Sequence, residues 1–325
     1  MASTCAEPLL EPLLVLTGPT ASGKTQLAIE VATRHGLEIL SVDSMSVYRS
    51  MDVGTAKPST DERALVPHHG IDLVDPWEDF DAARFAAYAD ACIADATRRG
   101  KRLLLVGGTP LYLMAILRGF FDGPPKDAEL RDALRLEEEA SPGALHTRLL
   151  EVDAEAAARI HKNDVKRLVR ALEVFETTGL KISEQQRQFE EGPPRYPHRL
   201  LGLSIGRDHM RERVRERTRS MFEHGLVDEV RAILAAGGFS DTAGQAIGYS
   251  EVLDFLEGRL GSDVLVSRVR SSTHRLVRRQ ETWFRRMKDI TLLPVDEARR
   301  DAALVDLADR YFFGEPSCPP TSPKP

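Results

Sequence analysis

The run Gly18-Pro19-Thr20-Ala21-Ser22-Gly23-Lys24-Thr25 matches the pattern G-x-x-x-x-G-K-[ST], which average residue frequencies would produce in about one chain in a hundred of this size. It constrains the fold because its chemistry works in one setting, between a strand and a helix. An apolar stretch, Leu13-Leu-Val-Leu-Thr17, leads into it. Gln26-Leu-Ala-Ile-Glu-Val-Ala32 follows with helical spacing that puts Leu27, Ala28 and Val31 on one side. There the glycines let successive backbone N–H groups turn inward around phosphate oxygens. The helix N-terminus adds a partial positive charge, Lys24 adds a full one, and Thr25 is placed to ligate Mg²⁺. The bland alternative is a glycine turn with a surface lysine, and the flanking strand and helix speak against it. Gly18, Pro19, Thr20, Ala21, Ser22, Gly23, Lys24 and Thr25 are therefore the expected diphosphate or nucleotide site.

Two further apolar runs behave as strands. Glu38-Ile-Leu-Ser-Val42 ends at Asp43, and Lys101-Arg-Leu-Leu-Leu-Val106 ends at Gly107-Gly108, with an amphipathic helix expected over Asp81–Arg99 between them. Strands alternating with helices predict an α/β fold whose parallel sheet is covered on both faces. From Phe120 to about Pro197 the pattern is helical, and both ends carry prolines and glycines, Gly123-Pro124-Pro125 and Gly192-Pro193-Pro194. Leu200–Ile205 returns to strand character. Long helices are expected over about 208–236, 243–257 and 261–288, and Ile290-Thr-Leu-Leu-Pro294 is a candidate last strand. The reading is a discontinuous P-loop-like core over 12–119 and 198–296, a helical insertion domain over 120–197, and flexible tails at 1–11 and 314–325.

Composition narrows the setting. The 325 residues are roughly two domains' worth of chain. Cys5, Cys92 and Cys318 form no CxxC pair, which excludes a disulfide framework and the common structural zinc spacings and fits a reducing compartment. No apolar run reaches the roughly 18 to 20 residues that span a bilayer. Met1–Glu7 lacks the basic start and apolar core of a signal peptide. A soluble, cytoplasmic protein that works as a monomer away from membranes is expected.

A hydrolytic nucleotide enzyme usually needs a second strand ending in Asp to hold the metal. The strand Leu103–Val106 runs into Gly-Gly-Thr instead, and Ile71-Asp72-Leu73-Val74-Asp75, between Pro67 and Pro76, reads as solvated acids on a short strand or loop. Asp43 stands at the carboxyl edge of the sheet, where open α/β sheets bind their ligands. Its roles as general base, outer-shell metal ligand or cap of the next segment at Ser44 or Ser46 all remain open on the residues alone. Thr109 ends the third strand on the same edge, and its hydroxyl is suited to a phosphate, a base or the loop itself.

Further blocks extend the pattern: Ser41-Val-Asp-Ser-Met-Ser-Val-Tyr48, Met51-Asp-Val-Gly-Thr-Ala-Lys-Pro58, His68-His69 and Val106-Gly-Gly-Thr-Pro-Leu-Tyr112. Ile160-His-Lys-Asn-Asp-Val-Lys-Arg-Leu-Val-Arg-Ala-Leu-Glu-Val174, Ala246-Ile-Gly-Tyr249 and Arg279-Gln-Glu-Thr-Trp-Phe-Arg285 follow. In this order the chain resembles the tRNA dimethylallyltransferases over about residues 12–295, and the blocks at 51–58 and around Trp283 are far more specific than the phosphate loop. The resemblance implies transfer of a dimethylallyl group from dimethylallyl diphosphate to N6 of adenosine 37, next to the tRNA anticodon, giving N6-dimethylallyladenosine and diphosphate. It implies Mg²⁺ as cofactor, Asp43 as general base, and Thr109 as a contact from the opposite side. It also implies tRNA contacts at Asp43, Ser44, Met45, Ser46, Thr109, Arg131, Lys166, Arg167, Leu168, Val169 and Arg170. The target base must leave its stack to reach such a site.

Three positions depart from the family pattern: Ser46 stands where Gln is usual, Pro110 where Gly is usual, and Gly244-Gln245 where Arg-Gln is common. Pro110 is expected to stiffen the loop after Thr109. Three other classes share parts of the pattern: an isopentenyltransferase acting on free adenine nucleotides, a small-molecule P-loop kinase, and a catalytically silent tRNA-binding relative. His68 and His69 are expected to be structural, Phe120-Phe121 an apolar seam, Trp283 and Phe284 core anchors, and Cys92 a buried small residue.

The formal charge of −6 is unevenly spread. Residues 127–157 hold nine acids against three arginines, whereas residues 268–288 hold eight Lys or Arg against one Glu, and Lys162–Arg170 forms another basic patch. An acidic average thus coexists with basic helices able to meet phosphates on selected faces.

Overall fold

The computed structural model describes residues 11–119, 121, 123–295 and 301–314. Most of the two expected tails, with Cys5, Cys318 and Phe120, lies outside the described residues. The chain divides into two compact units, one joining the residues up to Ile116 with those from Tyr196 onward, the other Leu117–Arg195.

In the first unit, chain order runs β1 (Leu13–Thr17), α1 (Lys24–His35), β2 (Glu38–Ser41), α2 (Thr60–Leu65), β3 (His68–His69), α3 (Ala82–Arg98), β4 (Leu103–Gly107) and α4 (Pro110–Arg118), the last passing into the second unit. The second unit carries α5 (Ala128–Ala140), α6 (Ala144–Val152), α7 (Ala154–Arg159), α8 (Val165–Thr178) and α9 (Ile182–Glu191). The chain then returns with β5 (His198–Ile205), α10 (Arg207–Glu223), α11 (Leu226–Ala236), a 3₁₀ turn at Ala243–Gln245, α12 (Tyr249–Leu256), α13 (Ser262–Phe284), β6 (Ile290–Val295) and α14 (Asp301–Phe313).

The six strands form one parallel sheet in the order β3-β2-β4-β1-β5-β6. β1 and β4, at its centre, are buried at every residue, which is why they read as unbroken apolar runs. From β1 the chain moves out to β2 and β3, returns to β4, and later continues on the other side through β5. That reversal opens a crevice at the carboxyl ends of β1, β2 and β4. Gly107 lets the edges close up there, because a Cβ at this position would lie 1.9 Å from the Val42 carbonyl oxygen.

Several boundaries differ from the sequence expectation for local reasons. The expected helix over 208–236 is two helices, α10 and α11, parted by a turn at His224–Gly225. The one over 243–257 is a 3₁₀ turn followed by α12. Ile71–Asp75 is loop, with one bridge from Val74 to Tyr48, while the short strand forms upstream at His68–His69. The helix α14 was not anticipated at all. It buries Val305, Ala308 and Phe312 in the core, and Asp306 and Asp309 pair with Arg34 of α1.

The second unit has its own core, which includes Leu134, Leu145, Leu149, Leu168, Val169 and Leu172. Inside it Glu173 is fully buried and accepts hydrogen bonds from Arg131 Nε and Nη2 at 2.6 and 2.7 Å, Arg170 Nη1 at 2.5 Å and the Asp127 amide at 2.9 Å. Burial alone would raise its pKa, but these donors outweigh it and hold the carboxyl at about 2, below the ordinary 4.5. The charge therefore stabilises the fold above about pH 4.5, and that contribution is lost as pH falls towards 2. Glu173→Ala strands two partly buried arginines and should cost about 3 kcal/mol or more in urea unfolding at neutral pH, with the deficit shrinking in acid.

Candidate active site

The phosphate loop joins β1 to α1. Gly23 precedes α1 with φ +83° and offers no capping side chain, so the first amides of α1 stay open to a ligand. Among the described residues Lys24 Nζ donates to the Pro19 carbonyl alone, at 3.3 Å. Burial lowers its pKa to about 8, a fall that Asp43 opposes and Arg217 reinforces. A cation held so far below its ordinary value gains from an incoming anion.

The loop forms one wall of a cleft of about 670 Å³, within the usual range of ligand pockets. Thr20–Thr25, Asp43 and Ser46 all line it, together with Ile39, Ser41, Val106, the loop Thr55–Pro58, Arg213 and Arg217. Gly18 and Pro19 shape the turn without lining the cleft. The two arginines escaped the sequence reading. Arg213 donates to Ala21 O at 3.4 Å and Arg217 to Thr55 O at 3.0 Å. Their signal was present as two arginines four residues apart, one helical turn, in a segment crowded with arginines. Only tertiary packing shows that this pair, among the others, turns inward.

Asp43 fills one of the roles left open by the sequence, the cap, from a position in the cleft. Its Oδ1 accepts from the amides of Met45 (2.9 Å) and Ser46 (3.4 Å), capping the turn, while the residue also lines the cleft. Thr109 sits behind this turn, its Oγ1 accepting from the Ser44 amide at 3.1 Å and lying 3.4 Å from Ser44 Oγ. Among the cleft-lining residues Thr109 is missing; it holds the turn from outside. The buried Gln280 of α13 accepts from the Thr20 amide at 2.8 Å and donates to Gly108 O at 2.6 Å, tying the phosphate loop to the Gly108–Thr109 segment.

The block at 51–58 earns its specificity by packing. Glu229 of α11 accepts from the amides of Asp52 (2.9 Å), Val53 (2.8 Å) and Gly54 (3.3 Å), and from Tyr249 Oη (2.5 Å). Lys57 donates to Tyr48 O, Asp52 and Asp72. Gly54 is obligatory because a Cβ there would stand 2.3 Å from the Tyr249 ring.

The departures from the family pattern have clear settings. Ser46 is buried and faces the cleft. Pro110 does not stiffen a loop; it opens α4, a position where its missing N–H costs nothing. Gly244 lies in the 3₁₀ turn, with ordinary contact distance from its missing Cβ to Phe239.

The basic candidates of the second unit separate into two kinds. Lys166 and Arg167 are exposed, and Arg131 and Arg170 are drawn into the Glu173 cluster. Leu168 and Val169 are core residues with no surface to offer, because helical periodicity turns them inward between the basic positions. His69 pairs with Glu38 at 2.8 Å and His68 bonds Val66 O, and no metal-type cluster of His, Cys, Asp or Glu occurs among the described residues. No helix among them is long and apolar enough to cross a membrane. Cys92 is half-buried, and burial raises its thiol pKa. Phe284 is core, whereas Trp283 is 43% exposed and no core anchor.

The family model for IPP transferase matches residues 46–287, and that for isopentenyl transferase matches residues 12–66. The chain belongs to the IPP transferase family. Among curated IPP-transferase relatives, the tRNA dimethylallyltransferase of Symbiobacterium thermophilum is 46% identical over 296 residues, covering 90% of this chain and 92% of that protein. That of Rhodopirellula baltica is 43% identical over 293 residues, covering 87% and 88%. Among solved structures, the tRNA isopentenylpyrophosphate transferase of Bacillus halodurans aligns with a TM-score of 0.66 at 34% identity, over 93% of this chain and 97% of that one. A eukaryotic dimethylallyltransferase acting on tRNA aligns with a TM-score of 0.77 at 28% identity, over 91% and 77%.

Two outcomes follow from this geometry. Diphosphate should bind with proton uptake near pH 8, seen as buffer-dependent heats in calorimetry, and its affinity should fall as pH rises through that value while Lys24 loses its charge. Gly54→Ala should displace the Tyr249 ring or the 51–58 loop and raise the KM for the diphosphate substrate, a change measured by steady-state kinetics.

Proposed function

We propose that this IPP transferase moves a dimethylallyl group from dimethylallyl diphosphate to the exocyclic N6 of adenosine 37 in tRNA. The observation that carries the reading is one cleft holding both halves of the chemistry. Lys24, Thr25, Arg213 and Arg217 supply charge and oxygen for a diphosphate, and Asp43 supplies a carboxylate. The open amides of α1 and the cations bind the diphosphate, and their charge offsets what develops on it as the allylic C–O bond breaks. The exocyclic amine is a weak nucleophile because its lone pair is delocalised into the ring. As the N–C bond forms, the Asp43 carboxylate takes the amine proton. The amides of Met45 and Ser46 fix that carboxylate in place.

A magnesium ion suits the oxygen donors present, the Thr25 hydroxyl beside a diphosphate, because Mg²⁺ prefers few protein ligands plus substrate phosphate oxygens. When bound it would further neutralise the leaving group. Ser22 Oγ, buried in the same loop without a hydrogen-bond partner, is one more oxygen at this cradle.

The test is direct. With magnesium and labelled dimethylallyl diphosphate, label should enter unmodified tRNA and not AMP; the reverse pattern would overturn the macromolecular acceptor. Asp43→Asn should keep tRNA binding and lose transfer by about 100-fold or more, and an unchanged turnover would refute the base.

A further inference from the structure

His209, Arg213 and Arg217 follow one another at helical-turn spacing along α10, and all three are half-buried, whereas Met210, Val214, Thr218 and Met221 of the same helix go into the core. Arg213 and Arg217 line the cleft. Arg213 Nε donates to His209 Nε2 at 3.0 Å, and its Nη1 donates to Ala21 O at 3.4 Å. The guanidinium lies close against the phosphate loop, since a Cβ on Gly23 would stand 2.9 Å from Nη1. Other arginines of α10 are held by acids: Arg211 by Asp208, Arg215 by Glu212 and Arg219 by Glu223. The two that line the cleft are held differently. Arg217 donates to the Thr55 carbonyl. Arg213 has only the Ala21 carbonyl and the His209 ring, and among the described residues it forms no ion pair. The kind of partner matters. A carboxylate one turn away fixes an arginine but cancels its charge. An imidazole nitrogen that accepts the Nε–H, with the ring proton on Nδ1, fixes the side chain and leaves the charge whole.

We infer that His209 is a positioning residue for the diphosphate: it aims the Arg213 guanidinium at the phosphate loop without neutralising it. The inference rests on the reading that this cleft binds a diphosphate, and it deepens that reading. The guanidinium is planar and carries its donors in a rigid fork, so holding Nε sets the direction of both Nη groups. Nη2 has no protein partner among the described residues and is available to a phosphate oxygen. A side chain held before the anion arrives also loses less freedom on binding. His209 acts through Arg213 and does not itself line the cleft.

The test uses inorganic diphosphate with magnesium as the probe, titrated calorimetrically into the full chain, beside steady-state kinetics. His209→Leu should weaken diphosphate binding by about tenfold, the size of one hydrogen bond to a charged group. The KM for dimethylallyl diphosphate should rise by the same factor, with kcat and the KM for tRNA unchanged. His209→Gln supplies a neutral carbonyl acceptor and should restore most of the affinity. His209→Glu separates aiming from bracing. It keeps an acceptor one turn from Arg213, yet it should bind diphosphate as weakly as His209→Leu because it cancels the charge. In an Arg213→Met background, His209→Leu should have no further effect. An unchanged affinity in His209→Leu, equal rescue by Gln and Glu, or a full loss in the Arg213→Met background would each overturn the inference. Diphosphate binding that follows this pattern, with no label reaching any acceptor, would overturn the transfer reading and leave the role of His209 standing.

Discussion

Much of this molecule hangs on the side chain of Gln280. Its carbonyl oxygen takes the Thr20 amide of the phosphate loop, and its amide nitrogen donates to Gly108 O after β4. The bond to Gly108 O is buried and the one from Thr20 partly so, and loss of the side chain would leave a donor and an acceptor unpaired. Through this residue α13, the longest helix among the described residues, is tied to the phosphate loop and to the segment behind Asp43. Thr109 then passes the constraint on, because its hydroxyl holds the Ser44 amide of the turn that Asp43 caps. The turn that carries the Asp43 carboxylate is thus held through the Ser44 amide as well as through the Met45 and Ser46 amides.

The charges in the cleft are arranged so that the resting protein is left wanting an anion. Lys24 and Arg217 are both half-buried cations whose charge is disfavoured by desolvation, and Asp43 is the group that opposes the fall in each. The cleft lining holds Lys24, Lys57, Arg213 and Arg217 against Asp43, Glu62 and Glu216, so it keeps a positive charge in excess and a net attraction for phosphate oxygens. Glu229 shows the contrasting use of a carboxylate. It spends its acceptors on three consecutive backbone amides and the Tyr249 hydroxyl, converting the 51–58 loop into a fixed wall.

The parts legible in the sequence were those written in local pattern. The phosphate loop, the buried runs at 13–17 and 103–107 and the carboxyl-edge position of Asp43 follow from spacing and burial alone, because a central parallel strand must be apolar throughout. What local pattern could not reveal depended on partners distant in sequence. Arg213 and Arg217 point inward among arginines that look alike, Glu229 reaches a loop some 175 residues earlier, and α14 joins the core through Val305 and Phe312. Leu168 and Val169 show the converse error. A contiguous block was carried over as contacts, although a helix cannot present five successive residues to one side.

The same distinction resolves the acidic average of the chain. Charge decides binding where it lies unneutralised, and the arginines of α10 and α11 are largely cancelled by acids three or four residues away. Those of α13 are not, because the helix from Arg268 to Phe284 contains Glu281 alone among acids. A protein with net charge −6 can therefore hold a positive ridge beside acidic faces, since at physiological salt the potential of each face decays within about 8 Å. That screening makes orientation part of recognition. The ridge lies on the helix whose Gln280 bonds the phosphate loop and Gly108.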